Sequence, residues 1–257
     1  MGEAIIASIL KKRLTESASV LVSDINPSRR EYLVQTYGIN TTDNNQLTTD
    51  GYELVILAVK PQNLEQVMAE LKGKFSPEQL LVSILAGTPL STLSNGFAHE
   101  SIIRAMPNTP AQIGAGMTAW TASDRVTDIQ KDLARSVLGA MGTELYVENE
   151  DSIDMATAIS GSGPAYLFLF AESLIDAAEE LGFSRDTAKT LVLETINGAG
   201  NLIRESGKEP AELRRMVTSP GGTTAQALAA LNEGDFPALL KRAVNAAYRR
   251  ARELGQG

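Results

Sequence analysis

Two hydrophobic patterns divide the chain, and the first runs from about Ser19 to Val147. Short apolar or β-branched runs alternate there with stretches of helical periodicity. Runs of about four to eight such residues are typical of strands. We predict strands in the segments SVLVSD, ELVILAVK, LLVSILAG, SIIRAM, GMTAW and TELYVE. Several intervening stretches are long enough for crossover helices, so the pattern predicts an α/β fold with a largely parallel sheet.

The second pattern is purely helical. After the segment VENEDSID no strand signal occurs, and helical periodicity extends from about Asp151 to Leu254. The segments SGSGP, GFS, SGKEP, TSPGG and NEGDFP interrupt it and are typical of helix caps or turns. We therefore predict an α/β domain over residues 1–149 and an all-helical domain over residues 150–257.

The N-terminal segment MGEAIIASILKKRL has apolar positions at helical spacing ahead of a basic end. A secretory signal has the opposite order, so we predict a helix of the mature protein. The most apolar run elsewhere, Ala165–Ala171, stops at Glu172 and is shorter than a membrane span. We expect no transmembrane segment.

The amino-acid composition limits the partners and the catalytic mechanisms that are possible. The 257 residues include 31 Asp and Glu against 23 Lys and Arg, a net charge of -8, which disfavours nucleic acid as a partner. There is no cysteine and one histidine, which excludes Cys/His catalysis and zinc sites built on clusters of Cys and His. The absence of cysteine also fits a reducing compartment, so a cytoplasmic location is expected. His99 is expected to be a solvated loop residue. Without a metal site, the remaining chemistry is that of a bound cofactor.

Ligands of a doubly wound sheet bind beyond the carboxyl ends of its strands. Asp24 ends SVLVSD at the position of the acidic residue that accepts from the ribose hydroxyls of a dinucleotide. Asn26, Arg29 and Arg30 in the same turn would instead suit a 2'-phosphate. The alternative is that Asp24 and Pro27 only cap the following helix.

The glycine-rich loop that normally precedes such an acid is missing. A G-x-G-x-x-G motif follows a strand, but this chain begins at MGEAI, where Gly2 corresponds to the final glycine. The first strand is central in the order 3-2-1-4-5-6, and its loss leaves unpaired backbone groups. We expect the first strand and its loop to be missing here, a rearranged sheet or a strand from another molecule being the alternatives.

The segment SPGGTT breaks the helical half in an unusual way. Pro220 and the pair Gly221-Gly222 end one helix, and Thr223 and Thr224 begin the next. Free backbone N–H groups and the helix dipole favour an anion there, such as a substrate carboxylate, and the threonine hydroxyls can donate hydrogen bonds. The alternative is an ordinary turn with threonine as N-cap.

Three long segments resemble one known family. They are IIRAMPNTPAQIGAGMTA, AISGSGPAYLFLFAESLIDAAEELG and LRRMVTSPGGTTAQALAALNEG, and LAVKP and SILAGT also follow the family's order. On these motifs nearly the whole chain resembles pyrroline-5-carboxylate reductase. It departs at the N-terminus, where the family has a strand and a loop similar to G-x-G-N-M-G, and only Met1-Gly2 match the end of that loop.

The resemblance implies NAD(P)H-dependent reduction of the cyclic imine of 1-pyrroline-5-carboxylate to L-proline, the last step of proline biosynthesis. Thr224 matches the threonine that hydrogen-bonds the ring nitrogen, and Ser219, Gly221, Gly222 and Thr223 would hold the carboxylate. The implied cofactor-binding residues are Gly2, Asp24, Asn26, Arg29, Ala58, Val59, Lys60, Pro61, Ala86, Gly87 and Asn108. The family favours NADPH, while Asp24 leaves NADH open.

The resemblance also implies a homodimer or a larger homo-oligomer. The YLFLF face of the helix beginning near Pro164 is more apolar than a solvated helix requires. In the family these helical domains interleave, and residues 150–257 would form the dimerisation and substrate-binding domain. An iminium carbon is already electrophilic, so a threonine near the nitrogen is sufficient for hydride transfer.

Two other functions are alternatives to this one. A β-hydroxyacid dehydrogenase reduces a carbonyl with a lysine on the long helix of its second domain, but no lysine occurs between Lys131 and Lys189. A non-catalytic or cofactor-impaired binding protein with the same fold is favoured by the missing glycine loop.

Overall fold

The structure is a computed structural model that describes residues 1–255 and contains two compact units. The first comprises residues 1–162 together with the chain from residue 247 onward, and the second comprises residues 163–246. The sequence places its domain boundary at residue 149, whereas the contacts assign residues 150–162 to the first unit. The first unit is α/β and the second is helical, as predicted.

Seven strands form two sheets. They are β1 Leu21–Ser23, β2 Asn40–Thr42, β3 Leu54–Leu57, β4 Leu80–Ser83, β5 Ile102–Pro107, β6 Gly116–Ala122 and β7 Gly142–Tyr146. β1 pairs with β2, and the larger sheet has the order β3-β4-β5-β6-β7. Every pair is parallel except β5 with β6, which confirms the largely parallel sheet.

Eleven α-helices occur in the described residues. They are α1 Gly2–Lys11, α2 Pro27–Tyr37, α3 Leu64–Leu71, α4 Leu90–Phe97, α5 Asp128–Gly139, α6 Asp151–Ala156, α7 Gly163–Glu180, α8 Arg185–Ser206, α9 Pro210–Met216, α10 Thr223–Glu233 and α11 Phe236–Leu254. The helix predicted at the N-terminus is α1. The breaks predicted at GFS, SGKEP, TSPGG and NEGDFP all occur.

Within residues 1–255, no strand of the smaller sheet pairs with a strand of the larger one. The division falls between β1 and β3, where the strand order of a dinucleotide-binding fold has its first strand. The chain enters α1 directly at Gly2. β2 escaped the sequence prediction because its residues, Asn-Thr-Thr, are polar and only 3 in number.

Helices cover both faces of the larger sheet. On β4, Leu80 and Val82 pack in a buried cluster that includes Ile5 of α1 and Leu138 of α5. Leu81, which points to the opposite face, packs in a second cluster with residues of α3 and α4. Successive side chains of a strand alternate between faces, so a strand covered on both sides is apolar throughout.

His99 is buried, contrary to its predicted solvation. Its side chain follows α4 and is only 6% exposed. Nε2 lies 2.9 Å from the backbone oxygen of Gln79, and the ring centroid lies 5.2 Å from that of Phe75. Ala98 has φ 52°, and this left-handed residue turns the chain after α4. The sequence shows a loop at His99 correctly but not which way its side chain faces.

The break predicted at SGSGP occurs, because α7 begins only at Gly163 and a π-helical turn precedes it. Thr157–Gly161 form a π-helical turn between α6 and α7, and the hydroxyl of Thr157 donates to the backbone oxygen of Ile153. A Cβ at Gly161 would lie 2.9 Å from Cε of Met106 on β5, so a larger residue there would require the methionine side chain to move. Single π turns of this kind often occur at functional sites.

The second unit has a small core of its own. Its buried cluster consists of Ile175, Ala188 and Val192, with three partly buried neighbours. Large apolar side chains of α7 are exposed instead, including Phe168 and Leu169, each 64% exposed. By length and composition alone, Asp151–Glu180 is apolar enough to cross a membrane, a property that the sequence prediction overlooked.

A buried ionic network connects β5 with α6. Nη1 of Arg104 donates to Oε1 of Glu150 at 3.1 Å, and Nη2 donates to Oδ1 of Asp154 at 2.5 Å. The Arg104 side chain is 3% exposed. Oε1 of Glu150 also accepts from the backbone nitrogen of Leu90, at the start of α4, at 2.7 Å. Both carboxylates therefore compensate a guanidinium that water hardly reaches.

Replacing Arg104 with methionine should lower the free energy of unfolding by about 3–5 kcal/mol, because two carboxylates then lose their buried cation. Urea denaturation of the purified variant measures this loss. A triple variant, Arg104→Met with Glu150→Gln and Asp154→Asn, removes the charges together and should recover most of the stability. Equal losses in the single and triple variants would contradict this account of the network.

Candidate active site

The carboxyl ends of the parallel strands bring most of the predicted cofactor residues to one edge. Residues 58–61 follow β3, residues 84–87 follow β4, and Asn108 follows β5. β3, β4 and β5 run parallel in adjacent positions, so these three segments leave the sheet at the same edge. Ala58, Lys60 and Pro61 are exposed there, Val59 and Ala86 are half-buried, and Gly87 is buried.

The N-terminus of α1 lies beside this edge. A Cβ built on Gly2 would lie 3.4 Å from Cβ of Ala58. Met1 is the N-cap and makes no side-chain hydrogen bond to the first turn. The first backbone N–H groups of a helix carry a partial positive charge and bind phosphate oxygens when no side chain caps them.

The turn after β1 is held by its own polar side chains. Oδ1 of Asp24 accepts from the backbone nitrogen of Asn26 at 2.8 Å. Asn26 is the N-cap of α2, and its Oδ1 accepts from the backbone nitrogens of Ser28 and Arg29. The capping interpretation is therefore correct for Pro27, which begins α2, but the N-cap is Asn26 and not Asp24. Asp24 retains its second carboxylate oxygen for a further donor.

Glu3, in the first turn of α1, forms an ion pair with Arg29, one of the predicted cofactor-binding residues. The sequence interpretation missed this contact. Nη2 of Arg29 donates to Oε2 of Glu3 at 2.5 Å. The hydroxyls of Tyr32 and Tyr37 donate to Oε1 at 3.0 Å and 2.8 Å. The partners are 26 to 34 positions away from Glu3, and no local pattern connects them. The only sequence signal was an acidic residue directly after Gly2.

These contacts change the acidity of the groups involved. The hydrogen bonds from Arg29 and Tyr37 lower the pKa of Glu3, although partial burial acts in the opposite direction. Burial and the hydrogen bond to Glu3 raise the pKa of Tyr37 to about 12. At neutral pH, Glu3 is therefore a carboxylate and Tyr37 a neutral donor.

Two predicted nicotinamide-side residues make structural contacts. The side chain of Asn108 accepts from the backbone nitrogen of Met117 at 2.8 Å and donates to the backbone oxygen of Ser160 at 3.0 Å. It thereby joins β6 to the π-helical turn. Gly87 has φ 71°, and a Cβ there would lie 2.5 Å from Cβ of Leu254 on α11. Only glycine allows that close approach.

In the second unit, the predicted substrate loop is a type II turn. Pro220 is its second residue, Gly221 has φ 70°, and the backbone nitrogen of Gly222 donates to the oxygen of Ser219 at 3.1 Å. Such a turn favours proline at its second position and glycine at its third. A Cβ on Gly222 would lie 2.5 Å from Oγ of Ser219, so a side chain at this position would require the serine hydroxyl to move.

The turn leads directly into α10. Gly222 is the N-cap, and no side chain of the described residues caps the first turn. The interpretation of a threonine as N-cap is therefore wrong, because Thr223 and Thr224 are the first two helical residues. The half-buried Thr224 brings a hydroxyl to a helix N-terminus whose first N–H groups are available to an anion.

Comparisons with known proteins show similarity to one family over both halves of the chain. Residues 150–254 match the family model described as pyrroline-5-carboxylate reductase dimerisation, and residues 1–87 match that of NADP oxidoreductase, coenzyme F420-dependent. A pyrroline-5-carboxylate reductase of Synechocystis is 41% identical over 256 residues, which cover 100% of this chain and 95% of that protein.

Solved structures show the same similarity in three dimensions. A pyrroline carboxylate reductase of Plasmodium falciparum, crystallised with NADP bound, superposes with a TM-score of 0.91 at 30% identity, covering 99% of this chain and 94% of the other. A pyrroline-5-carboxylate reductase of Coxiella burnetii gives a TM-score of 0.88 at 34% identity, with coverages of 98% and 94%. The chain therefore belongs to the pyrroline-5-carboxylate reductase family.

Proposed function

We propose that this chain uses NAD(P)H to reduce the imine of 1-pyrroline-5-carboxylate to L-proline, the last step of proline biosynthesis. The observation that carries the proposal is the glycine-capped N-terminus of α10, which begins with Thr223 and Thr224. It pairs an anion site with a neutral hydroxyl, the two features that a cyclic imino acid requires. The identities of 41% and 34% with reductases of this name support it over the full length of the chain.

The residues of the first unit fit a dinucleotide. The uncapped start of α1 at Gly2 suits the pyrophosphate, and the free oxygen of Asp24 suits a ribose hydroxyl. The segments containing Ala58, Val59, Lys60, Pro61, Ala86 and Gly87, together with Asn108, border the same edge of the sheet. Bound reduced nicotinamide supplies a hydride. We propose NADPH as the preferred form, with NADH as the alternative, because the Plasmodium falciparum enzyme binds NADP.

The residues of the second unit bind and orient the imino acid. The first backbone N–H groups of α10, with the turn Ser219–Gly222, hold its carboxylate. The hydroxyl of Thr224 then hydrogen-bonds the ring nitrogen and orients the C=N bond. A carbon of an iminium ion is electrophilic already, so orientation and charge stabilisation lower the barrier without a strong acid.

The helical domain makes the enzyme a homodimer or a larger homo-oligomer. Residues 150–254 match a dimerisation model, and the exposed apolar side chains of α7 exceed what a monomer normally leaves in water. Burial of this surface in a protein interface accounts for the apolar stretch Asp151–Glu180 without a membrane. A cysteine-free chain suits a cytoplasmic enzyme.

The direct test is turnover of purified protein. With 1-pyrroline-5-carboxylate and either NADPH or NADH, we expect loss of absorbance at the nicotinamide band and stoichiometric formation of proline. A β-keto acid serves as the control substrate, because a carbonyl-reducing enzyme would consume it. Failure to form proline with both cofactors, from folded protein, would rule out the proposal and favour a binding protein.

Thr224→Ala should lower kcat by roughly 10 to 1000-fold, because the variant loses a hydrogen bond at the reacting nitrogen. Thr224→Ser keeps the hydroxyl and should retain most of the activity. Thr195→Ala is the matched control, since that hydroxyl donates to Leu191 within α8. Steady-state measurement of kcat and KM for the three variants tests this role. Unchanged kinetics of Thr224→Ala would show that its hydroxyl takes no part in the mechanism.

Phe168→Glu should weaken self-association by about 100-fold or more, because a charge without a partner would be buried in the interface. Sedimentation over a range of concentrations measures the change. Ile129→Glu is the control, because Ile129 is 82% exposed on α5 of the first unit. Identical association of the two variants would show that α7 lies outside the interface.

A further inference from the structure

The turn after β1 contains two guanidinium groups beside an acidic residue. Asp24 accepts from ribose hydroxyls in the usual arrangement, while an arginine nearby accommodates the 2'-phosphate of NADP. A 2'-phosphate carries up to about two negative charges and is bound best by arginine side chains with free N–H groups. The partners that Arg29 and Arg30 already have within the protein therefore affect which dinucleotide binds.

Arg30 is committed to the fold. Its Nη1 donates to the backbone oxygen of Asp24 at 2.6 Å, and its Nη2 lies 3.4 Å from Oδ2 of Asp43. This side chain holds the backbone of the turn and is only 20% exposed. Movement of this side chain would release the turn that contains Asp24. Arg29 is consequently the arginine that can pair either with a carboxylate of the protein or with the phosphate of a ligand.

Arg29 is held by Glu3. The guanidinium donates to Oε2 at 2.5 Å and its carbon lies 5.1 Å from the centroid of the Tyr32 ring. Tyr32 and Tyr37 donate to the other oxygen of the same carboxylate. Three donors thus fix Glu3 in place. A carboxylate so fixed keeps its charge beside the guanidinium.

Carboxylates surround the two guanidinium groups of this turn. Glu3 pairs with Arg29, Asp43 lies near Arg30, and the charge of Asp24 acts on Arg29. A 2'-phosphate would have to share Arg29 with Glu3 and approach that carboxylate. A 2'-hydroxyl meets no such opposition and can donate to Asp24.

We propose that Glu3 is a specificity-determining residue, which competes with the 2'-phosphate for Arg29 and so makes the preference for NADPH over NADH smaller than Arg29 alone would give. This inference rests on the proposed function only in taking the end of β1 as the ribose side of the dinucleotide site. Glu3 therefore has two effects: it joins α1 to α2, and it sets how much positive charge the site presents.

The test compares two nucleotide fragments in the absence of imino acid. The dissociation constants of 2',5'-ADP and 5'-AMP are measured by titration calorimetry for the native chain and for Glu3→Gln. The glutamine keeps an acceptor for the tyrosines but frees the charge of Arg29. The preference for 2',5'-ADP should rise about tenfold, the effect of roughly one charge-assisted hydrogen bond.

Two further variants separate pairing from general electrostatics. Glu31→Gln removes the same charge from an exposed part of α2, where Glu31 accepts from Gln35, and should change the preference less than twofold. In the background of Arg29→Gln, the substitution Glu3→Gln should have no effect on the preference. Thermal denaturation of each variant verifies that the fold is retained.

The proposal is overturned if Glu3→Gln leaves the preference unchanged, if Glu31→Gln reproduces its effect, or if the effect persists without Arg29. Binding of neither fragment to the native chain overturns it as well, because the ribose side then lies elsewhere. Failure of the reductase function has a different signature. Both fragments would bind with the expected preferences, but no proline would form.

Discussion

Parallel pairing of β3, β4 and β5 is the constraint on which the first unit depends. Parallel strands require crossover segments that return to the same end of the sheet, and helices on both faces cover the apolar strands. All three strands therefore deliver their following residues to one edge. The predicted cofactor residues come together through topology alone, which places residues 58–61, residues 84–87 and Asn108 at the same edge.

Two helix N-termini, one in each unit, have the same local structure. α1 begins at Gly2 and α10 follows Gly222, and neither first turn is capped by a side chain of the described residues. Glycine at these positions leaves space and frees backbone donors, which suits anionic ligands. A protein with one histidine and no cysteine can thus bind a phosphate-containing cofactor and a carboxylate through its backbone. The reaction needs only a hydroxyl in addition.

Association with another subunit follows from the composition of the helical unit. Three buried residues form its core cluster, while Phe168, Leu169 and other large apolar side chains are exposed. The hydrophobic effect then favours burial between subunits, as the family's dimerisation domain implies. The first unit is different, since its two large clusters lie within one chain. Assembly and cofactor binding accordingly belong to different parts of the chain.

The sequence by itself determined the α/β and helical halves, the long helices and the turn at SPGG, because periodicity and the conformations of proline and glycine are local properties. The family motifs determined the activity for the same reason, since they are contiguous. Only the tertiary structure decided that His99 is buried, that Thr157–Gly161 form a π turn against Met106, and that Glu3 holds Arg29. Each of these depends on residues distant along the chain, whose contacts arise from packing and leave no periodic pattern in the sequence.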